Sequence, residues 1–342
     1  MKEFLLKIVR FSLIGLIPFL ILGILYLYYD PFKILYKYDS FFEKNAKGRV
    51  ILNQDYVSTT TFINNSPKIN YNSFILGNSR SIFYQVSDWK NHLDESASCF
   101  HFDASGESLW AMNKKIEFIN KNGNEIENIL LVLDYATLIQ DKPKSGHITI
   151  ISPALVDNSN IIDFHKTFFR AFLTPKFIYA FLDFKISGQV KPYMIKNNLL
   201  DDRHRNYDIL TNELRFDYFE NLVRVNKYYT PKRLSVFYDR DTTTQKNLPK
   251  VIFENQKSIL NNILSITKKH NTEIRIIINP LYDQLKLNKR DIVYLKSIFG
   301  EENVFDFSGI NTFTNDYRNY YEESHYRPHI AREIMEIIYN KN

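Results

Sequence analysis

A single cysteine, Cys99, in 342 residues excludes an intrachain disulfide and offers no thiolate cluster to a metal. It leaves the redox compartment open. The chain also lacks any stripe of one charge sign. Its formal net charge is +6, and its Lys and Arg are scattered among acids, so the footprint of a nucleic-acid binder is missing. There is no internal repeat and no low-complexity segment, which removes a repeat architecture from consideration. Aromatic residues, by contrast, are plentiful, with 27 Phe and 23 Tyr. Lys, Asn and Ile are frequent too, in the manner of a coding bias. A chain of this length holds one large domain or two smaller ones, with a substantial core.

The N-terminus carries Lys2, Lys7 and Arg10 against one acid, Glu3. Residues 11–29 are then uncharged, long enough to cross a bilayer core. Tyr26, Tyr28 and Tyr29 cluster at the far end, as interfacial aromatics do, and Asp30-Pro31 stops the run. The basic flank predicts a cytoplasmic N-terminus and an extracytoplasmic main domain, held at the cell inner membrane by one pass. A cleaved signal peptide is the rival reading. The run is long for one, and no small-x-small cleavage site follows it.

Residues 31–72 are polar and mixed, and read as a tether. From Ser73 onward strands alternate with helices. Residues 73–76, 99–102, 129–133, 274–278 and 304–307 are short apolar runs suited to buried parallel strands. Residues 109–122, 252–269 and 290–299 show helical spacing, and a last helix begins near Pro328 and runs to about Tyr339. This rhythm predicts a doubly wound parallel sheet. It lapses over residues 140–247, which read as a helical insertion. Within it, the aromatic stretch 164–184 reads either as core or as a surface for membrane or acyl chains. The expected organisation is therefore an anchor (1–30), a tether (31–72) and an α/β domain (73–342).

The chemistry gathers at two distant stretches, 74–80 and 320–326. Gly77 ends the first strand and Ser79 follows it on the turn, with residues 80–84 expected to open a helix. At the carboxyl edge of such a sheet ligands bind, and N–H groups at a helix start favour negative charge. In the second stretch, Glu322 precedes His325 by three residues. A serine hydroxyl becomes a nucleophile when an imidazole takes its proton and a carboxylate holds the other ring nitrogen. Gly106 and Asp134 close two other strands on the same predicted edge. The backbone N–H groups of Ser79 and Gly106 are the candidate oxyanion donors.

Gly77-Asn-Ser79 resembles the first block of the SGNH/GDSL hydrolases, whose serine is the nucleophile. Ser105-Gly106 resembles the block whose glycine lines the oxyanion hole. Glu322-Glu-Ser-His325 is similar to the closing Asp-x-x-His block. Ser324-His325-Tyr326 is a form common in the membrane-anchored DltD-like and alginate-acetylation branch. The resemblance spans roughly residues 73–338, outside the insertion. It implies a three-layer, flavodoxin-like α/β fold and a serine acyl hydrolase or O-acyltransferase that needs no cofactor. Acyl esters of a cell-envelope glycan would be its substrate, and a membrane-bound O-acyltransferase its partner. The alternative is a binding or assembly component that keeps the fold without turnover. The family's Gly-x-Asn-Asp block is absent, and Asp134 stands in its place. A carboxylate donates no hydrogen bond unless it is protonated.

Other readings attach to the same residues. Ser79 would serve as a helix N-cap, and His325 as a cap of the last helix. His325 and His329 are four apart, but Pro328 between them speaks against a shared metal face. Arg80 suits either an anionic or carbohydrate ligand or a salt bridge. Asn279 either lines the pocket or makes an Asn-Pro turn. Residues 201–204, ending in His204, read as a solvated loop, and His270 suits a helix C-terminus.

Overall fold

Five apolar runs become the strands of one parallel sheet in the computed structural model, which describes every residue except 44, 45, 47, 204, 341 and 342. His204 therefore lies outside the described residues. The strands are β1 (Ser73–Gly77), β2 (Cys99–Asp103), β3 (Asn128–Leu133), β4 (Glu273–Ile278) and β5 (Val304–Asp306). Their order across the sheet is β2-β1-β3-β4-β5. Alternate side chains leave opposite faces of a strand, and both faces here are buried. Phe74, Leu76, Ile129, Leu131, Ile274 and Ile276 share one core. With them pack α2 (Gln54–Asn65), α3 (Leu109–Lys121), α6 (Glu254–His270) and α7 (Lys289–Phe299). Ile75, Leu130, Val132 and Ile277 face the other way, onto α8 (Pro328–Tyr339). Helices thus cover both faces.

The chain divides into two units, Met1–Leu52 with Asn160–Arg203, and Asn53–Ser159 with residues 204–342. This differs from the expected tether and insertion. α2 belongs to the sheet-bearing unit, because fully buried Phe62 stacks on Phe102 and meets Phe74 and Phe100 edge-on. Val57 is buried with Phe62, and the Ser58 hydroxyl donates to the Asp103 carbonyl at 2.8 Å, so polar residues of the segment also hold it to the sheet. The expected insertion is shared out. Leu214, Phe216 and Tyr228 join the core beside α8, while residues 160–203 go with the N-terminal unit.

In that N-terminal unit, α1 (Lys2–Tyr29) has an 18-residue window of mean hydropathy 2.4 that is not buried. Among the described residues it is the one helix long and apolar enough to cross a membrane. At 1.5 Å per residue it measures about 42 Å, against about 30 Å of hydrocarbon. It ends where Asp30 turns left-handed, at φ 36°, and its carboxylate accepts the N–H groups of Ile34 and Leu35 at 2.9 and 2.8 Å. Two further helices, α4 (Ile161–Phe172) and α5 (Pro175–Ser187), hold most of the aromatic stretch. Phe164, Phe168, Phe172, Phe177 and Phe181 are buried.

The strand ends of the sheet-bearing unit are in register. Gly77 lies beside Asp103 and Val132, and Ile278 beside Leu133 and Asp306. The loops that begin at Asn78, Ala104, Asp134 and Asn279 therefore leave one edge together. A 3-10 turn, Ser81–Phe83, follows Ser79 where a helix was expected. Gly77 permits that tight turn. A Cβ there would lie 2.5 Å from the Ser81 Cβ and 3.1 Å from the Val132 Cβ. Gly77→Ala is expected to lower stability by about 1–3 kcal/mol through overpacking, read as a fall in the urea midpoint.

Candidate active site

Ser79 sits on a turn whose backbone is pinned by its neighbour. The Asn78 amide donates to Asp134 Oδ2 at 2.7 Å and to Thr137 Oγ1 at 3.0 Å, while its Oδ1 accepts the Arg80 N–H at 2.9 Å. The half-buried Ser79 side chain then reaches His325, with Oγ 2.9 Å from Nε2. Residues 246 apart in sequence are brought into hydrogen-bond contact.

His325 is presented by a hairpin. β6 (Tyr320–Glu322) pairs antiparallel with β7 (His325–Tyr326), and Glu322 stands directly opposite His325. Residues opposed across two strands hold their side chains side by side. The Glu322 carboxylate accordingly meets His325 Nδ1. Ser324 supports the same carboxylate, its hydroxyl at 2.9 Å from Oε1 and its N–H at 3.1 Å from Oε2. Glu323 is exposed at the turn. Burial pushes the Glu322 carboxyl up, but the hydrogen bonds and charge of His325 and those of Ser324 outweigh it and hold it down at about 2. An ionised carboxylate on Nδ1 fixes the proton there and leaves the Nε2 lone pair facing the Ser79 hydroxyl. Phe83 backs the ring, with centroids 5.7 Å apart.

Arg80 joins the two loops. Its Nη1 is 2.7 Å from Asp134 Oδ2, and its Nε donates to the Ser324 carbonyl at 2.9 Å. The Tyr326 hydroxyl lies 3.1 Å from the Arg80 carbonyl and 2.8 Å from Asn279 Oδ1. Arg80 is thus the partner of a buried acid, with the salt-bridge reading outweighing the ligand reading.

Asp134 is almost fully buried. Burial raises its carboxyl, but Arg80, Asn78 and the Thr137 N–H together bring it below the usual range. It is ionised, accepts from all three, and has no proton to give an oxyanion. Asn279 is 1% exposed and turned to Tyr326 and Asp134, so it braces the edge and does not line an open pocket.

Gly106 is not part of this network. It has φ +59°, its carbonyl accepts Lys144 Nζ at 2.6 Å, and it borders a small polar pocket with Ser105 and Glu107. Beneath that turn, fully buried Lys115 pairs with Glu107 and, at 3.3 Å, with Asp55. His329 goes elsewhere, within 3.1 Å of Asn319.

Three contributors escaped the reading of the sequence as a site: Asn78, Ser324 and Tyr326. Each lies inside a stretch that was singled out; Asn78 and Tyr326 act through partners distant in sequence, while Ser324 acts on Glu322, two residues before it. A second Ser–His contact also went unseen, Ser81 Oγ to His101 Nε2 at 2.9 Å. It is sealed from substrate. His101 is fully buried, and burial and then Lys115 push its ring down to about 3, while the Ser81 hydroxyl is held by the Asn78 carbonyl at 2.8 Å.

Compared with known protein families and with curated proteins, the sequence matches none.

Two outcomes follow from these contacts. Arg80→Ala leaves Asp134 buried and unpaired, and is expected to cost about 3–5 kcal/mol in denaturant titration, with Arg80→Lys intermediate. Glu322 has a folded value of about 2 against an ordinary 4.5. Its contribution to stability is complete above the ordinary value and is lost as pH falls through the folded one. The stability gap between wild type and Glu322→Gln should therefore be widest near neutrality and close on acidification through that window.

Proposed function

We propose that the protein is a membrane-anchored serine esterase or O-acyltransferase of the SGNH type, acting on acyl esters of a cell-envelope glycan. The observation that carries this reading is the Ser79 Oγ–His325 Nε2 contact of 2.9 Å, with Glu322 on the opposite ring nitrogen. The strand order β2-β1-β3-β4-β5 supports it, since this is the flavodoxin-like order, and ligands bind at its carboxyl edge.

The chemistry would proceed in two half-reactions. Ser79 Oγ attacks the acyl carbonyl carbon as its proton passes to His325 Nε2. Glu322 stabilises the imidazolium and keeps the ring oriented. The oxygen, now negative, is met by the Ser79 N–H, with Gly106 as the second candidate donor. Collapse expels the alcohol, which takes the proton from His325, and leaves an acyl-serine. A second hydroxyl then gives its proton to His325 and attacks the acyl-serine carbonyl; collapse breaks the bond to Ser79 Oγ, which takes the proton back from His325 Nε2 as the new acyl product leaves. Water as that acceptor makes the reaction a hydrolysis; a sugar hydroxyl makes it a transfer. A partner that delivers acyl groups through the membrane, such as a membrane-bound O-acyltransferase, fits the anchored position. The basic residues before residue 11 orient the anchor with its N-terminus in the cytoplasm.

One observation favours a second reading, a binding or assembly component without turnover. Asp134, where a side-chain oxyanion donor is expected from the resemblance, is ionised and committed to Arg80.

A fluorophosphonate probe separates the two. The full-length protein in detergent should label, and Ser79→Ala should not. His325→Ala should slow labelling by about 10²–10⁴-fold, the usual span for loss of a general base. A folded wild type that takes up no label would leave the binding role.

A further inference from the structure

The two aromatic helices of the N-terminal unit carry more apolar surface than their packing uses. In α4, Phe164, Phe168 and Phe172 form the buried stripe. A second stripe, Ile162 and Phe169, repeats at seven residues on another face and is exposed at 79% and 36%. In α5 the buried stripe is Phe177, Ala180 and Phe181. Tyr179 and Ile186, again seven apart, are exposed at 66% and 87%. Lys166, Arg170, Lys176 and Lys185 stand on these helices against Asp163 and Asp183, and Asp183 is already bonded to Lys191 at 2.7 Å.

The height of these helices along α1 is set by direct contacts. Tyr26 meets Phe169 and Phe172, each at 5.2 Å between centroids, and Tyr29 meets Phe181 at 5.5 Å. Just past the helix, Phe32 stacks on Phe177 at 4.9 Å. Lys185 Nζ lies 5.0 Å from the Tyr29 ring centre. Tyr26 is three residues, about 4.5 Å of rise, from the end of α1. Both helices are therefore fastened to the last turn of the apolar helix, where aromatic side chains mark the lipid–water boundary.

We propose that α4 and α5 form a collar in the outer bilayer interface, with Ile162, Phe169, Tyr179 and Ile186 among the lipids and the flanking cations at the headgroups. This rests on the membrane-anchor reading of α1. If α1 spans, elements locked to its final turn sit at the membrane surface, and amphipathic helices with basic flanks bury their apolar face there by several ångströms. The collar would fix the depth at which the chain leaves the lipid.

Depth-dependent quenching on the full chain in phosphatidylcholine–phosphatidylglycerol vesicles tests this. A fluorophore is placed on a single new cysteine, Leu20→Cys, Tyr179→Cys or Ile186→Cys; buried Cys99 stays unlabelled. Mid-chain spin-labelled lipid should quench the label at 20. Headgroup-proximal spin-labelled lipid should quench those at 179 and 186, with iodide quenching several-fold below that of the free dye adduct. Labels at 179 and 186 open to iodide, with 20 still quenched, would overturn the collar and leave the anchor. Shielding from both quenchers would mean a protein contact and would also overturn it. A label at 20 untouched by lipid quencher would overturn the anchor and the collar with it.

Discussion

The buried pair of Arg80 and Asp134 is the contact on which the arrangement at the sheet edge depends. Asp134 is sealed at the end of β3, where an isolated charge would be very costly. Arg80 neutralises it from the loop after β1, and with its remaining fork holds the Ser324 carbonyl of the hairpin. Asn78 reaches the same carboxylate from the residue beside Ser79. One ion pair thus draws together loops from the first, third and last parts of the sheet-bearing unit. Ser79 and His325 meet because Arg80, beside Ser79 and bound to the Asp134 carboxylate, also holds the backbone carbonyl of Ser324, beside His325.

Much of the fold was legible because its signals are local. Short, mainly apolar runs marked the five strands, and Pro328 the start of α8. The pairing of Ser79 with His325 was legible through residue types in a particular order. What stayed hidden was set by tertiary partners. The helix expected after Arg80 is a 3-10 turn because Ser81 must bond the Asn78 carbonyl and fit against Gly77. The three-residue spacing of Glu322 and His325 does not say how the carboxylate reaches the ring. It does so through a cross-strand register.

The segments with weak periodicity were misjudged for a related reason. Residues 53–72 look polar, yet Phe62 packs α2 into the core, and its buried polar residues bond the end of β2, as Ser58 does at the Asp103 carbonyl. Residues 140–247 have no rhythm as a whole because they serve two units, each with its own packing demands. Composition averages over such a stretch, and a contact between one phenylalanine and a distant strand is lost in the average.

The short hairpin that carries both Glu322 and His325 has a further consequence. Base and acid are joined by only two residues, Glu323 and Ser324, so the strand pairing itself sets their mutual aim. Insertion or deletion of one residue there would slip the ladder by one place and turn the two side chains to opposite sides. The dyad is therefore kept or lost as a block. A stretch that looks like an ordinary surface connection is among the least tolerant of length change in the chain.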